Sequence, residues 1–418
     1  MSETTPECDV LILGGGVIGL ACAHYLLAAG RTVEILEQAA IGAGASHGNC
    51  GTLTPSHAPP LASPGMIGKA LRMMLEADAP FHIKPRLDPA LLSWMLHFAA
   101  RCNLRDFRAA IPSRAELLTR SRELVEKLVR EQCLECGFQN AGTLSVYSDP
   151  HSIEQASTQL ARLRELGIPS AVLDATSARR LEPALNDRIV GAIHYPRDAH
   201  LRPDRFVAEL GRSVRARGAT IREGERVIGF KVEGRRVAHV VTSTGTRRAR
   251  EVVLALGAWS PTIGRQLGVR IPVQPGKGYS ITYERPAVCP SRPLTLKERS
   301  VCVTAWAGGY RLGSTMEFSG YDTSLNRRRL DALVRGASEY LIEPEGPRRV
   351  EEWYGWRPMT WDDQPIIGRA PRFDNLTLAT GHGMLGLTLS AITGVLVTEM
   401  VCALPPSLDL APFSPARF

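Results

Sequence analysis

No run of about 20 apolar residues, the length a transmembrane helix needs, occurs in this 418-residue chain. The most apolar stretch, Ala90 to Ala100, spans 11 residues and still carries Ser93 and His97. A basic segment leading into an apolar one is also missing at the start. Glu3, Glu7 and Asp9 precede an apolar run that reads as a strand, so no secretory signal is expected. Cysteine pairing has no rhythm: nine cysteines, an odd number, are scattered, which fits a reducing compartment. Cys133 and Cys136 form one C-x-x-C, but a four-thiolate metal site would need two more suitably placed ligands, and no metal is expected. The pair follows a helical pattern, whereas a redox-active pair usually opens a helix, so it reads as structural. A basic stripe with interleaved aromatics is absent. The formal charge of +8 comes from 50 Lys and Arg residues spread along the chain, and the tightest cluster, Arg327-Arg328-Arg329, reads as a solvated helix start. Nucleic acid is therefore not an expected partner. Contact with an anionic membrane surface stays compatible with the charge. The expectation is a cytoplasmic chain, at most attached to the inner face of a membrane.

What is present is an ordinary globular composition, 44% hydrophobic and 22% charged. The length exceeds one ordinary core and predicts two closely packed domains. Asp9–Leu13 reads as a buried strand, Val17–Ala29 as an apolar helix ended by Gly30, and Thr32–Leu36 as a second strand. That is one strand–helix–strand unit in about 30 residues. A Gly-, Ser- and Pro-rich segment without periodicity follows from Ile41 to Pro64, and long loops of this kind are usually functional or disordered. Helical patterns cover Met66–Glu76, Asp88–Cys102, Ser113–Gln132, Ser152–Leu166, Pro203–Arg217, Leu325–Tyr340 and Thr388–Cys402. Strand patterns cover Gly142–Tyr147, Val190–Tyr195, Val252–Leu256 and Leu376–Thr380. Arg226–Lys231 and Arg236–Val241 flank a hairpin turn. No internal repeat is visible.

Gly14-x-Gly16-x-x-Gly19 falls between the first strand and the first helix. Glycines at this spacing allow a tight turn, approach of a pyrophosphate to the backbone, and close helix–strand packing. The helix N-terminus then offers unpaired N–H groups and partial positive charge. Glu37 ends the second strand, where a carboxylate can accept both ribose hydroxyls. The whole unit in register points to a dinucleotide. A carboxylate would repel a 2′-phosphate, which argues against NADP, while NAD and FAD both remain open on these residues.

Further blocks come in order: Ser46-His47-Gly48-Asn49-Cys50-Gly51, Gly276-Lys277-Gly278-Tyr279-Ser280, Trp356-Arg357-Pro358-Met359-Thr360, Pro365-Ile366-Ile367-Gly368-Arg369 and Thr380-Gly381-His382-Gly383-Met384-Leu385-Gly386. Taken with the fingerprint, they make nearly the whole chain resemble the FAD-dependent amine and D-amino-acid oxidoreductase superfamily, and within it the bacterial D-amino-acid dehydrogenases. The resemblance implies an α/β fold: an FAD-binding Rossmann-like domain interleaved with an α+β substrate domain built on a β-sheet. The FAD-binding parts would be 1–80, 191–265 and 351–418, and the substrate parts 81–190 and 266–350.

The resemblance implies FAD contacts at Gly14, Gly16, Val17, Ile18, Gly19, Glu37 and Gln38, and at Ser46, Asn49, Cys50, Gly51 and Leu53 in the loop. It adds Val227, Gly257, Trp259, Gly381, His382, Gly383, Met384, Leu385 and Gly386. Trp259 could equally be a core aromatic and His382 a satisfied interior histidine. Arg357, Tyr279 and His382 are the expected substrate-handling residues, with Arg311 a further candidate. A guanidinium fork can hold an amino-acid carboxylate bidentately; the alternative for Arg357 is a structural ion pair with Asp362 or Asp363. Some relatives tether FAD through a histidine in the loop. The matching position is Gly48, with His47 one residue away, so FAD is expected to be non-covalent.

The implied reaction is oxidative deamination of a small D-amino acid. Electrons would go to a quinone or another carrier, and the wording of the loop suggests D-proline or cis-4-hydroxy-D-proline. Rival readings are a hydrogen-peroxide-forming oxidase of the glycine or sarcosine type, a flavin-binding subunit of a larger dehydrogenase, and a disulfide reductase using Cys133 and Cys136. The last is disfavoured because no second NAD fingerprint follows.

Overall fold

The computed structural model describes residues 8–74 and 80–418. Glu3, Glu7 and the last two residues of the helix expected over Met66–Glu76 lie outside them. The first strand, Cys8–Leu13, is the middle of a six-stranded sheet. It pairs in parallel with Val33–Leu36 on one side and with Ala249–Leu254 on the other. Thr220–Arg222 and Leu376–Thr380 extend the parallel run, and Ile366–Arg369 closes one edge antiparallel.

Alternate side chains of the first strand leave in opposite directions. Val10 and Ile12 join a core with the helices Val17–Ala28, Pro203–Ala216 and Ser390–Val401. Leu11 and Leu13 pack instead against Val237 and Val240 of a three-stranded meander built on Val227–Glu233, Arg236–Thr242 and Gly245–Arg247. A sheet covered on both faces needs continuous apolar strands. DVLIL and EVVL supply them.

The second sheet has nine strands and is largely antiparallel. Its long strands are Val273–Tyr283, Gly309–Phe318 and Arg349–Thr360, with Val301–Trp306 and Leu294–Leu296 beside them. The helix Arg327–Ser338 packs under one face through Leu330, Leu333 and Ala337. Two expected domain boundaries shift. Gly191–Tyr195 pairs with Thr143–Tyr147 in this large sheet, and Arg349–Thr360 pairs with Val273–Tyr283, so neither strand belongs to the parallel sheet.

Three local expectations also need correction. The helix expected from Ser113 begins at Leu104 and runs to Glu131 with Pro112 inside it, capped by Asn103, whose side chain accepts from the Asp106 N–H. Proline usually ends a helix, yet Pro112 is carried inside this one. The helix expected over Ser152–Leu166 splits into Pro150–Ser157 and Leu160–Glu165. There the Ser157 and Thr158 hydroxyls donate to the Ile153 and Gln155 carbonyls, a local competition that disfavours helix interiors. Arg329, expected in solvent, is buried 3.9 Å from Glu317.

Candidate active site

A cavity of about 1380 Å³ runs between the two sheets, from the glycine turn of the first strand to Arg357. Sites for single small ligands are usually about 300–1,000 Å³. This one has room for a large ligand and a small one.

At one end the glycines divide their labour. Gly14 has φ +108°, and a Cβ there would meet the Ala255 carbonyl oxygen at 2.5 Å. A Cβ on Gly19 would come within 2.0 Å of the Gly14 oxygen, so this glycine lets helix and strand touch. Gly16 is different. Its Cβ would meet nothing nearer than Ser46 Oγ at 3.4 Å, so no protein contact demands glycine there; the open space belongs to the cavity. Ser46 Oγ accepts from the Val17 N–H at 3.1 Å and ties the loop to the helix start. Glu37 accepts from the Gly15 and Ala39 N–H groups at 2.8 and 2.9 Å, one on each oxygen, leaving each oxygen a further lone pair.

Of the expected cofactor residues, Gly14, Gly16, Val17, Ile18, Glu37, Gln38, Ser46, Asn49, Cys50, Val227, Gly257 and Trp259 line the cavity. So do His382, Gly383, Met384, Leu385 and Gly386. Gly381 is absent from the lining, and its φ of +72° serves the turn. Gly51 and Leu53 need correction. A Cβ on Gly51 would sit 2.0 Å from the Leu201 oxygen, and Leu53 is fully buried in a short pairing with Ala199. Both hold the wall from behind.

At the other end stands Arg357. Its Nη1 donates to the Thr315 carbonyl at 2.6 Å and its Nη2 to the Ser314 carbonyl at 3.3 Å. Those carbonyls are presented by a bulge. Lys277 and Tyr279, two apart, face Glu317 and Ser314, three apart, and Ser314 and Thr315 adopt φ of 124° and 55°. Positive φ at such residues costs of the order of 1–3 kcal/mol each and persists where surroundings enforce it. The alternative of an ion pair with Asp362 or Asp363 does not hold. Asp362 accepts from Arg417 at 2.8 Å and Asp363 pairs with Arg114 at 3.1 Å. Among the described residues no carboxylate lies within ion-pair distance of Arg357. Burial lowers its pKa, yet guanidinium stays charged in proteins. The Nε–H and one Nη2–H have no protein acceptor among the described residues.

Residues 9–400 match the DAO family, described as FAD dependent oxidoreductase. The chain belongs to this family. It is 32% identical over 419 residues to a D-amino acid dehydrogenase of Granulibacter bethesdensis, covering 98% of this chain and 99% of that protein. It is 34% identical over 411 residues to a D-amino acid dehydrogenase of Phenylobacterium zucineum, covering 97% and 96%. A glycine oxidase structure from Geobacillus kaustophilus superposes with a TM-score of 0.81 at 24% identity, covering 99% of this chain and all of that one.

The FAD of the DAO family fits what the cavity offers: open backbone at Gly16 and Gly386, free lone pairs on Glu37, and a length that joins both glycine turns. A side chain at position 48 does not fit, because a Cβ on Gly48 would lie 2.0 Å from the Trp353 ring. His47 is turned away, with its Nε2 2.7 Å from Glu351.

Three expected substrate residues have other duties in this DAO-family chain. Tyr279 touches the cavity, but its hydroxyl donates to Glu317 at 3.4 Å, and burial beside that carboxylate pushes its pKa up. Arg311 spends its donors on Thr282, on the His47 and Asn49 carbonyls and on Glu351, so it clamps the loop. His382 is buried, and burial lowers its pKa to about 3. Thr393 donates to the Leu389 carbonyl at 2.8 Å, so at 2.9 Å it accepts from His382 Nε2–H. A histidine that is neutral at pH 7 and already committed to a helix is an anchor for the turn, not a proton carrier. Cys136 is buried, which pushes its thiol up to about 11, the reverse of what a reactive thiol needs.

Sequence reasoning missed Trp353, Trp356, Cys302, His57 and Lys297, all in the cavity wall. Strand alternation would not have found both tryptophans, because Trp353 and Trp356 are three residues apart and fall on opposite faces. Nothing local marked Lys297 or His57.

Proposed function

We propose that the chain oxidises a small D-amino acid and hands the electrons to a quinone or another carrier, holding its FAD without a covalent bond. One observation carries this reading: a half-buried guanidinium at the inner end of the cavity, backed by two carbonyls and with no carboxylate in ion-pair distance among the described residues. Such a fork matches a substrate carboxylate. The names of relatives at 32% and 34% identity over nearly full length support the same substrate class.

Bound along this cavity, FAD would supply the acceptor for a hydride from the substrate α-carbon. The chain supplies the rest. Arg357 takes the carboxylate and so fixes how far the α-carbon reaches into the cavity. The Ser314 and Thr315 carbonyls keep the guanidinium from swinging, because it is held on one edge and free on the other. Trp259 and Trp356, edge to face at 5.6 Å, wall the cavity with apolar surface and exclude water. The Gly383 N–H donates to the Pro358 carbonyl at 3.0 Å, coupling the closing glycine turn to the residue beside Arg357. Substrate anchor and cofactor-facing turn therefore share one backbone bond, which favours the fixed approach hydride transfer requires. Gly48 against Trp353, and His47 against Glu351, support a non-covalent cofactor.

No helix among the described residues is long and apolar enough to cross a membrane. In this reading a quinone would be met at a membrane surface, where a formal charge of +8 is attractive to anionic lipid. The test is anaerobic addition of D- and L-amino acids to the purified yellow protein while following flavin absorbance. Bleaching by D-amino acids is expected, and none with any amino acid would sink the reading. Turnover with oxygen as fast as with an artificial acceptor would remove the carrier.

A further inference from the structure

The cationic character of the cavity does not stop at Arg357. Lys297 also lines it and is exposed to solvent. No carboxylate lies within ion-pair distance of its ammonium among the described residues. Glu298, next in the chain, is turned to the Ser148 N–H and the Tyr340 hydroxyl. Lys297 feels the like charge of Lys69, offset in part by the Glu298 carboxylate, which is not in ion-pair contact with it. Lys69 of the helix Met66–Met74 lines the same space, and burial and Lys69 together lower the Lys297 pKa. His57 beside them is held neutral, its pKa lowered to about 4 by burial and by the charges of Lys297 and Arg114. The carboxylate of Asp363 is already neutralised by Arg114.

The sheet register places this lysine relative to the substrate anchor. Thr295 pairs with Cys302, and Cys302 pairs with Gly313, the neighbour of Ser314 whose carbonyl holds Arg357. Thr295 and Cys302 both line the cavity, so this face of the sheet is its floor. Lys297 is two residues beyond Thr295 and continues the pairing, its N–H donating to the Val146 carbonyl at 3.0 Å. Residues two apart share a face. Neighbouring strands are about 4.8 Å apart, so two strand steps set the Lys297 backbone roughly 10 Å from the bulge that presents the guanidinium. The flexible lysine stem spans much of that gap. A small molecule held at one end by Arg357 would have its far end under the Lys297 ammonium.

An ammonium that lines a ligand cavity, faces a second lysine and has no ion-pair partner among the described residues offers an anion a ready place. We infer that Lys297 is the specificity-determining residue for the far end of the substrate, and that the preferred substrate carries a second carboxylate, on its side chain or on its nitrogen, opposite the one held by Arg357. This rests on the amino-acid oxidation reading above and names its substrate class.

The experiment uses the holoenzyme and two variants, Lys297→Met, which keeps the stem and removes the charge, and Lys297→Arg, which keeps the charge. Anaerobic flavin bleaching is followed with D-aspartate, D-glutamate and N-carboxymethylglycine against D-alanine and D-proline. The expected result is a higher kcat/KM for a diacid. In Lys297→Met that advantage falls about ten- to a hundredfold, the range of one hydrogen bond between charged groups, through KM, while the neutral substrates are unchanged; Lys297→Arg keeps it. As an independent readout, glutarate should raise the Tm of the wild-type holoenzyme more than butyrate does, and not in Lys297→Met. Bleaching by neutral D-amino acids better than by any diacid would overturn this inference and leave the oxidation reading standing. An equal loss for both classes in Lys297→Met would overturn it too. If no amino acid bleaches the flavin, both fall.

Discussion

Arg114 and Arg357 both reach the same cavity wall, and both donate to backbone carbonyls, yet they do opposite work. Arg114, from the long helix Leu104–Glu131, bonds the Ala58 and His57 carbonyls at 2.8 and 3.2 Å as well as the Asp363 carbonyl, and its charge is met by the Asp363 carboxylate. Every partner is protein. Asp363 in turn accepts from the Leu61 N–H at 2.9 Å, so this arginine pins the 57–61 segment to the start of the closing region. Arg357 has carbonyls on one edge and, among the described residues, no acid in ion-pair distance. A buried cation with its own carboxylate is a finished structural unit. A half-buried cation without one is completed by what binds to it.

The comparison can be broken by mutation. Arg114→Met leaves Asp363 buried and unpaired, and breaking a buried pair from one side costs about 3–5 kcal/mol. A large fall in Tm is expected in a thermal melt. An unchanged Tm would erase the structural half of the contrast. Arg357→Met should melt close to the wild type, because it removes an unneutralised charge, and should still bind FAD. Its KM for substrate should rise about a hundredfold or more, since each hydrogen bond between charged groups contributes about 1.5–3 kcal/mol. Steady-state kinetics with an artificial acceptor read this, and a KM unaltered by the substitution removes Arg357 from the site.

Acid should act on the Arg114 side first. His57, whose carbonyl Arg114 holds, has its pKa lowered from 6.5 to about 4, as do buried His24 and His200. Lowered histidines favour folding fully above pH 6.5, where both states are neutral. That contribution is lost as pH falls towards 4, because the unfolded chain takes the protons first. Each contributes about 1.4 kcal/mol per pH unit over that window. Asp198, which burial raises to about 6 despite bonds from Ser56 and Thr143, works the other way below pH 6 and offsets one of the three. Tm should therefore fall between pH 6.5 and 4.5, and less steeply in His57→Gln. A flat profile contradicts the neutral histidines. The smallest effect is expected for Tyr279→Phe, which loses only a long bond to Glu317. A KM change beyond about twofold would return Tyr279 to the substrate, as one missing hydrogen bond of about 1 kcal/mol sets the scale.

Much of the nucleotide half was legible because its signals are local. Gly14 and Gly16 stand between strand and helix and Gly19 in the first turn of that helix, and Glu37 follows in the same unit, all within one stretch of backbone whose conformation those residues dictate. The closing turn at Gly381–Gly386 was readable for the same reason. The substrate half was not. Arg357, Arg311 and Arg114 look alike in the chain, and only long-range contacts with Ser314, with the 47–49 loop and with Asp363 sort them.

By itself, then, the order of residues determined the strand–turn–helix that receives a dinucleotide and the alternation that builds two sheets, since turn geometry and side-chain period act over a few neighbours. Which arginine stays unpaired, where Tyr279 sends its hydroxyl, that Gly51 and Leu53 lie behind the wall and that Lys297 meets the cavity were decided by tertiary structure alone. Charge pairing and burial depend on which distant groups arrive at the same place, and nothing in a local pattern carries that information.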